Sequence, residues 1–109
     1  MANPALRTLL VDDEEIMHQT IGEYLIESGA QVKSLHDGLA AVDEVEINDY
    51  DLMLVDLRMP GMDGFSLLEK VQQMRPEMSV VIVTGHGNME TAIQAPRMGA
   101  ADFLPKPVK

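Results

Sequence analysis

Apolar and polar positions along the chain switch repeatedly between two spacings. Short apolar runs occur at "LRTLLV" (6–11), "AQVKSL" (30–35), "YDLMLV" (50–55), "MSVVIV" (78–83) and "ADFLP" (101–105), with strand length and strand residues. The third and fourth are apolar almost throughout, as strands covered on both faces must be. Between the runs, apolar residues recur at helical spacing. Met17, Ile21, Tyr24, Leu25 and Ser28 predict one face of a helix over 15–28 that Gly29 ends. Leu39, Val42 and Val45 follow Asp37, a candidate N-cap, over 38–47. Leu67, Leu68, Val71 and Met74 form a stripe over 65–75 before Pro76, and Asn88 is placed to cap a fourth helix reaching about Met98.

The order β-α-β-α-β-α-β-α-β predicts an α/β fold: a doubly wound parallel sheet with right-handed crossovers and helices on both faces. No internal repeat, linker or low-complexity segment interrupts it. The chain stops at Lys109, just after the fifth strand, so it supplies no fifth helix to cover the last part of the sheet. Either the chain is truncated there or something else covers that face.

Composition narrows the class. At 109 residues there is material for one domain, and 46% apolar residues predict a folded globule. The chain has no cysteine, which removes disulfides and thiolate metal sites and fits a reducing compartment. "MANPALRTLLVDDEE" lacks the pattern of a secretory signal, and no apolar run approaches the roughly 20 residues that span a bilayer. The expectation is a soluble, cytoplasmic protein without membrane contact. A formal net charge of −10 makes the domain alone a poor nucleic-acid binder. Much of that charge only keeps the protein soluble, but Asp12, Asp13, Glu14 and Glu15 are consecutive.

Candidate chemistry follows from the sheet. In a parallel sheet all strand C-termini share one edge, and ligands of open α/β sheets bind there. Asp12 and Asp13 follow the first strand, Asp56 the third, Thr84 the fourth and Lys106 the fifth. Clustered carboxylates repel unless a cation joins them, and the set suits Mg²⁺, a hard ion that keeps part of its water shell and bridges to phosphate oxygens. A hydroxyl and an ammonium nearby complete what phosphoryl transfer requires. Taken singly, the Asp-Asp pair reads as a helix cap, Thr84 as a turn residue and Lys106 as a solvated lysine. Their coincidence on one sheet edge favours the site.

Four motifs, "LLVDDEE", "LVDLRMPGMDG", "VIVTGHG" and "GAADFLPKP", in this order and at these separations, resemble those of the receiver domains of two-component response regulators. The resemblance covers essentially the whole chain, 1–109 being a receiver domain that stops before its last helix. It implies the flavodoxin-like strand order 2-1-3-4-5. It also implies that Asp56 is the phosphoacceptor, taking a phosphoryl group from a phosphohistidine of a sensor histidine kinase to give an acyl phosphate. Asp13 and Asp56 would bind Mg²⁺ directly with the backbone carbonyl of Arg58, and Asp12 through water. Thr84 and Lys106 would contact the phosphoryl group. Phe103 would be the switch aromatic, although an ordinary core position explains it nearly as well. The Lys106–Pro107 bond would be cis. "TGHG" and "GAADFLPKP" are most similar to receivers of bacterial transcriptional activators that carry an ATPase domain. Such a domain is not a conventional enzyme, although it takes part in its own phosphorylation and dephosphorylation.

Some residues depart from the pattern or vary within it. Pro96 falls inside the expected fourth helix, where it lacks an N–H for the Ala92 carbonyl, and predicts a kink or an early end. Since the family uses that helix and the fifth strand as its output face, Pro96 bears on partner recognition. Pro105 suits an edge strand. Arg58 and His86 stand two residues beyond Asp56 and Thr84, where the family varies and tunes phosphoryl loss to water; with no second histidine at useful spacing, His86 reads as a loop residue rather than a ligand. Uncovered apolar surface on the first and fifth strands predicts self-association there or through the output face. Two other functions compete. Phosphatases resembling the haloacid dehalogenases want a second Asp two residues after the nucleophile, where this chain has Arg58. A receiver-like interaction module that is never phosphorylated typically lacks one of the site residues, all of which are retained here.

Overall fold

Every apolar run becomes a strand and every helical stripe a helix. The computed structural model describes residues 6–56, 59, 64–85 and 89–105, with the backbone alone for 84, 89–92 and 105. Its elements are β1 (Arg7–Val11), α1 (Glu15–Glu27), β2 (Gln31–Leu35), α2 (Gly38–Ile47), β3 (Leu52–Val55), α3 (Gly64–Met74), β4 (Ser79–Thr84), α4 (Met89–Arg97) and β5 (Asp102–Pro105). The five strands are parallel in the order β2-β1-β3-β4-β5. No helix among the described residues is long and apolar enough to cross a membrane.

Alternation along the central strands divides the core in two. Leu9, Val11, Met53, Val55, Val80 and Ile82 meet Ala41 and Val45 of α2, Leu67, Leu68 and Val71 of α3, and Ala95 of α4. On the other face Leu10, Leu54 and Val83 meet Met17, Ile21 and Leu25 of α1. Each fully buried side chain of this kind contributes roughly 1.5–3 kcal/mol by transfer from water. Among the described residues three helices cover the first face and one the second, where Leu52 and Val81 remain half-buried. Leu104 of β5 is exposed.

Two stripes differ from the expected ones. Tyr24 is 69% exposed, and Ser28 is the C-cap of α1 rather than part of its buried face. That face is built from Met17, His18 and Gly22, with Ile21 and Leu25 half-buried beside them. Leu39 is 61% exposed, because α2 turns its small residues, Gly38 and Ala41, toward the sheet with Val45. The large apolar side chains were legible, but a helix packs closely on a sheet through small ones.

The helix ends follow ordinary backbone chemistry. Asp37 caps α2, its Oδ1 accepting from the Ala40 N–H at 2.7 Å. Helices α1 and α4 close with the same motif: Ala30 N–H donates to the Leu25 carbonyl and Ala100 N–H to the Ala95 carbonyl, both at 3.0 Å. Gly29 and Gly99 supply the required positive φ, 98° and 100°. Helix α4 ends at Arg97, one residue beyond Pro96. Arg75, just past α3, donates from Nε to the Val45 carbonyl at 2.9 Å and pairs with Asp49, which ties down the C-terminal end of α2. Strand β5 is an edge strand, so Pro105 sits where a missing ladder donor is tolerated. Asn88 lies outside the described residues.

Candidate functional site: an acidic edge at the ends of β1 and β3

β1 and β3 are neighbours, paired in register from Thr8↔Leu52 to Val11↔Val55. The next residue on each is an aspartate, so Asp12 and Asp56 stand side by side. Both backbones continue the ladder: Asp56 N–H donates to the Val11 carbonyl at 3.0 Å and Asp12 N–H to the Leu35 carbonyl at 3.1 Å. Rigid strands therefore carry both carboxylates into positions only 2% and 3% exposed.

The acidic run after β1 folds back over this pair. Asp12 Oδ1 accepts from the Glu14 N–H at 2.9 Å, a tight turn that brings Asp13 and Glu14 to the same edge. One oxygen from each of Asp12, Asp13, Glu14 and Asp56 lies within 4.8 Å of the others. The helix-cap reading of the acidic pair does not describe what is present. The N-cap of α1 is Glu14, without a side-chain cap bond, and Asp12 stands two residues before it.

A cation among four carboxylates this close would offset their mutual repulsion, beside the contacts that Asp12, Glu14 and Asp56 already make. The donor set is all oxygen, with two buried groups fixing the position and two exposed ones, Asp13 and Glu14, leaving the solvent side open. That fits a hard divalent ion such as Mg²⁺, which retains waters and admits an anionic oxygen.

Asp12, Asp13 and Asp56 are thus brought together as the sequence predicts, and Glu14 joins them. Continuing the β3–β4 register sets Asp56 beside Val83, so the backbone of Thr84 stands one residue further out on the neighbouring strand. Phe103, on β5, pairs with Ile82 of β4 and is half-buried against the main core. Arg58, His86, Lys106 and the Lys106–Pro107 bond lie outside the described residues. Glu14 could have been found from the sequence, since a fourth acid one step beyond Asp13 stays within reach when the chain turns.

Comparison with known proteins decides what this edge belongs to. A family model for the response regulator receiver domain matches residues 8–109. The chain is a response regulator receiver domain. The receiver is 35% identical over 98 residues to the DNA-binding transcriptional regulator NtrC of Klebsiella pneumoniae, covering 90% of this chain and 21% of that protein. It therefore spans about a fifth of the length of such relatives. Among solved structures it superposes on the receiver domain of NtrX from Brucella abortus with a TM-score of 0.87 at 35% identity, covering 94% of this chain and 87% of that one. It also matches a response regulator from Burkholderia pseudomallei with a phosphorylated aspartic acid, calcium ion and citrate, with a TM-score of 0.88 at 27% identity, covering 95% of this chain and 61% of that one.

Proposed function

We propose that this receiver accepts a phosphoryl group on Asp56 from a phosphohistidine of a sensor histidine kinase. One carboxylate oxygen of Asp56 attacks phosphorus, the bond from phosphorus to the imidazole nitrogen breaks, and the histidine leaves with the electron pair. The product on the receiver is an acyl phosphate. The observation that carries this reading is the placement of Asp56, buried to 3% exposure at the end of a central strand and beside a second buried carboxylate.

Asp13 and Asp56 would hold Mg²⁺ together with the backbone carbonyl of Arg58, and Asp12 would act through water. Bound there, the ion supplies charge neutralisation for the carboxylates and for the incoming phosphoryl oxygens. Thr84 donates its hydroxyl, and Lys106 its ammonium, to phosphoryl oxygens. Phe103 then responds to the movement of Thr84 and carries the change to the face formed by α4 and β5. Residues 1–109 form the receiver domain of a longer cytoplasmic transcriptional regulator, whose output lies on other residues. That face or the lightly covered α1 side of the sheet is where two copies would meet.

Intact mass after incubation with Mg²⁺ and a small-molecule phosphodonor tests the reading. One added phosphoryl group is expected on the parent, absent from Asp56→Ala and lost with chelator. No addition to a folded parent would overturn it and leave a receiver that acts by protein interaction alone.

A further inference from the structure

The acidic turn is held from three directions, and one of them is a histidine that the chemistry above does not use. The Asp12 N–H is bound to β2 through Leu35, and its Oδ1 accepts from Glu14. Its backbone carbonyl accepts from His18 Nε2 at 2.7 Å. A carbonyl can only accept, so Nε2 carries the proton in this contact. His18 is 8% exposed, on the face of α1 that packs on the sheet, and its Nδ1 is buried without a hydrogen-bond partner among the described residues.

The ring is also braced from behind. Its centroid lies 4.2 Å from that of His36, tilted by 43°, and His36 Nε2 is 2.9 Å from Glu15 Oε2. α1, the segment after β2 and the acidic turn therefore meet at one imidazole. Nothing comparable holds Asp13. Its side chain is exposed and makes no hydrogen bond among the described residues. What sets its direction is the backbone before it. The Asp12 carbonyl and the Asp13 nitrogen share one planar peptide, so fixing the carbonyl fixes where the Asp13 Cα begins.

We propose that His18 is a positioning residue for the cation site, clamping the Asp12–Asp13 peptide so that both carboxylates face Asp56. This rests on the reading of the acidic edge as a divalent-cation site. A hydrogen-bond donor that orients a ligand from behind commonly changes metal affinity by 10–100-fold when removed. His18 acts through the backbone, which places the expectation at the lower end.

Mn²⁺ affinity, followed by electron paramagnetic resonance of the free ion, tests the clamp in His18→Leu, His18→Asn and His18→Gln. The glutamine amide reaches where Nε2 stands, whereas asparagine is one methylene too short and leucine has no donor. The Leu and Asn variants should bind Mn²⁺ about 10-fold more weakly than the parent, and Gln within about threefold of it. A histidine that only supports the fold would lower the melting temperature in chelator without moving the affinity, and that result overturns the proposal. So does a Gln variant as weak as Leu. If Leu and Asn do not fold, His18→Met, which keeps bulk without a donor, takes their place: it should bind Mn²⁺ about 10-fold more weakly than the parent, and a value within about threefold overturns the proposal. A parent no tighter than its Asp13→Asn variant would instead sink the cation site itself, an outcome separate from failure of the clamp.

Discussion

Removing the charge of Asp56 should make the protein more stable when no divalent cation is present and less stable when one is. The carboxylate oxygens of the site lie within 4.8 Å of one another. At that distance a like-charge pair repels by about 0.9 kcal/mol in water and about 3.5 kcal/mol at an effective dielectric constant near 20. The pair of Asp56 with buried Asp12 lies toward the larger figure, and those with exposed Asp13 and Glu14 toward the smaller. Salt screening, and about 1 kcal/mol of local hydrogen bonding lost with the carboxylate, reduce the gain. Asp56→Asn should therefore gain about 1–2 kcal/mol in chelator, a rise in melting temperature of roughly 4–8 °C per kcal/mol for a domain this size. Mg²⁺ reverses the order. A ligand at 100 times its dissociation constant stabilises by about 2.7 kcal/mol, and the Asn variant should forfeit most of that. Thermal unfolding followed by far-ultraviolet circular dichroism, with chelator and then with Mg²⁺, gives all four values. A less stable Asn variant in chelator would show that repulsion at this edge is already balanced. An equal Mg²⁺ response in both proteins would show that Asp56 takes no part in binding the ion.

Two further predictions concern the scaffold. Alanine at Gly29 or Gly99 puts a side chain at positive φ, and each should lose about 1–2 kcal/mol in urea unfolding. At Gly29 a Cβ meets nothing within 4 Å among the described residues, whereas at Gly99 it would overlap the amide of Gln72, whose Nε2 donates to the Gly99 carbonyl. Gly99→Ala should cost about 1 kcal/mol more, an excess that vanishes in a Gln72→Ala background and whose persistence there would refute the assignment. Tyr50 donates to Glu44 Oε2, and burial, with that hydrogen bond second, pushes its phenol from 10.0 up to about 12. A raised folded value means stability is intact below pH 10 and lost as pH rises toward 12, so Tyr50→Phe should flatten that limb of the stability profile. An unchanged slope between those values would count against it.

Where the sequence was readable and where it was not has a physical pattern. Strands announced themselves because buried parallel strands are apolar on both faces, and Asp56 stood out because a carboxylate ended such a run. Helix faces were harder. His18 and Gly22 lie on the buried side of α1 while Tyr24 lies outside, an arrangement that no count of large apolar residues could give. A Cβ at Gly22 would stand 3.9 Å from Leu10 Cδ2, an ordinary packing contact, so the position admits a small residue against β1. The site was legible as a list of acids but not as a geometry. That Asp12 bonds back to the Glu14 amide, and that a histidine six residues on reaches its carbonyl, depend on how the chain turns between β1 and α1.

The strand order has a consequence for how freely the chain can change. Each turn leading from a helix back into a strand, at 28–30, 48–51, 75–78 and 98–101, lies on the edge opposite Asp12 and Asp56, and none contains a residue of the acidic site. Lengthening a loop is entropically cheap, about 0.6 kcal/mol for each doubling, and the register of the strands is held by the ladder rather than by these turns. Insertions, or even a new pair of chain ends, can therefore accumulate on one edge of the sheet while the chemistry on the other stays where it is.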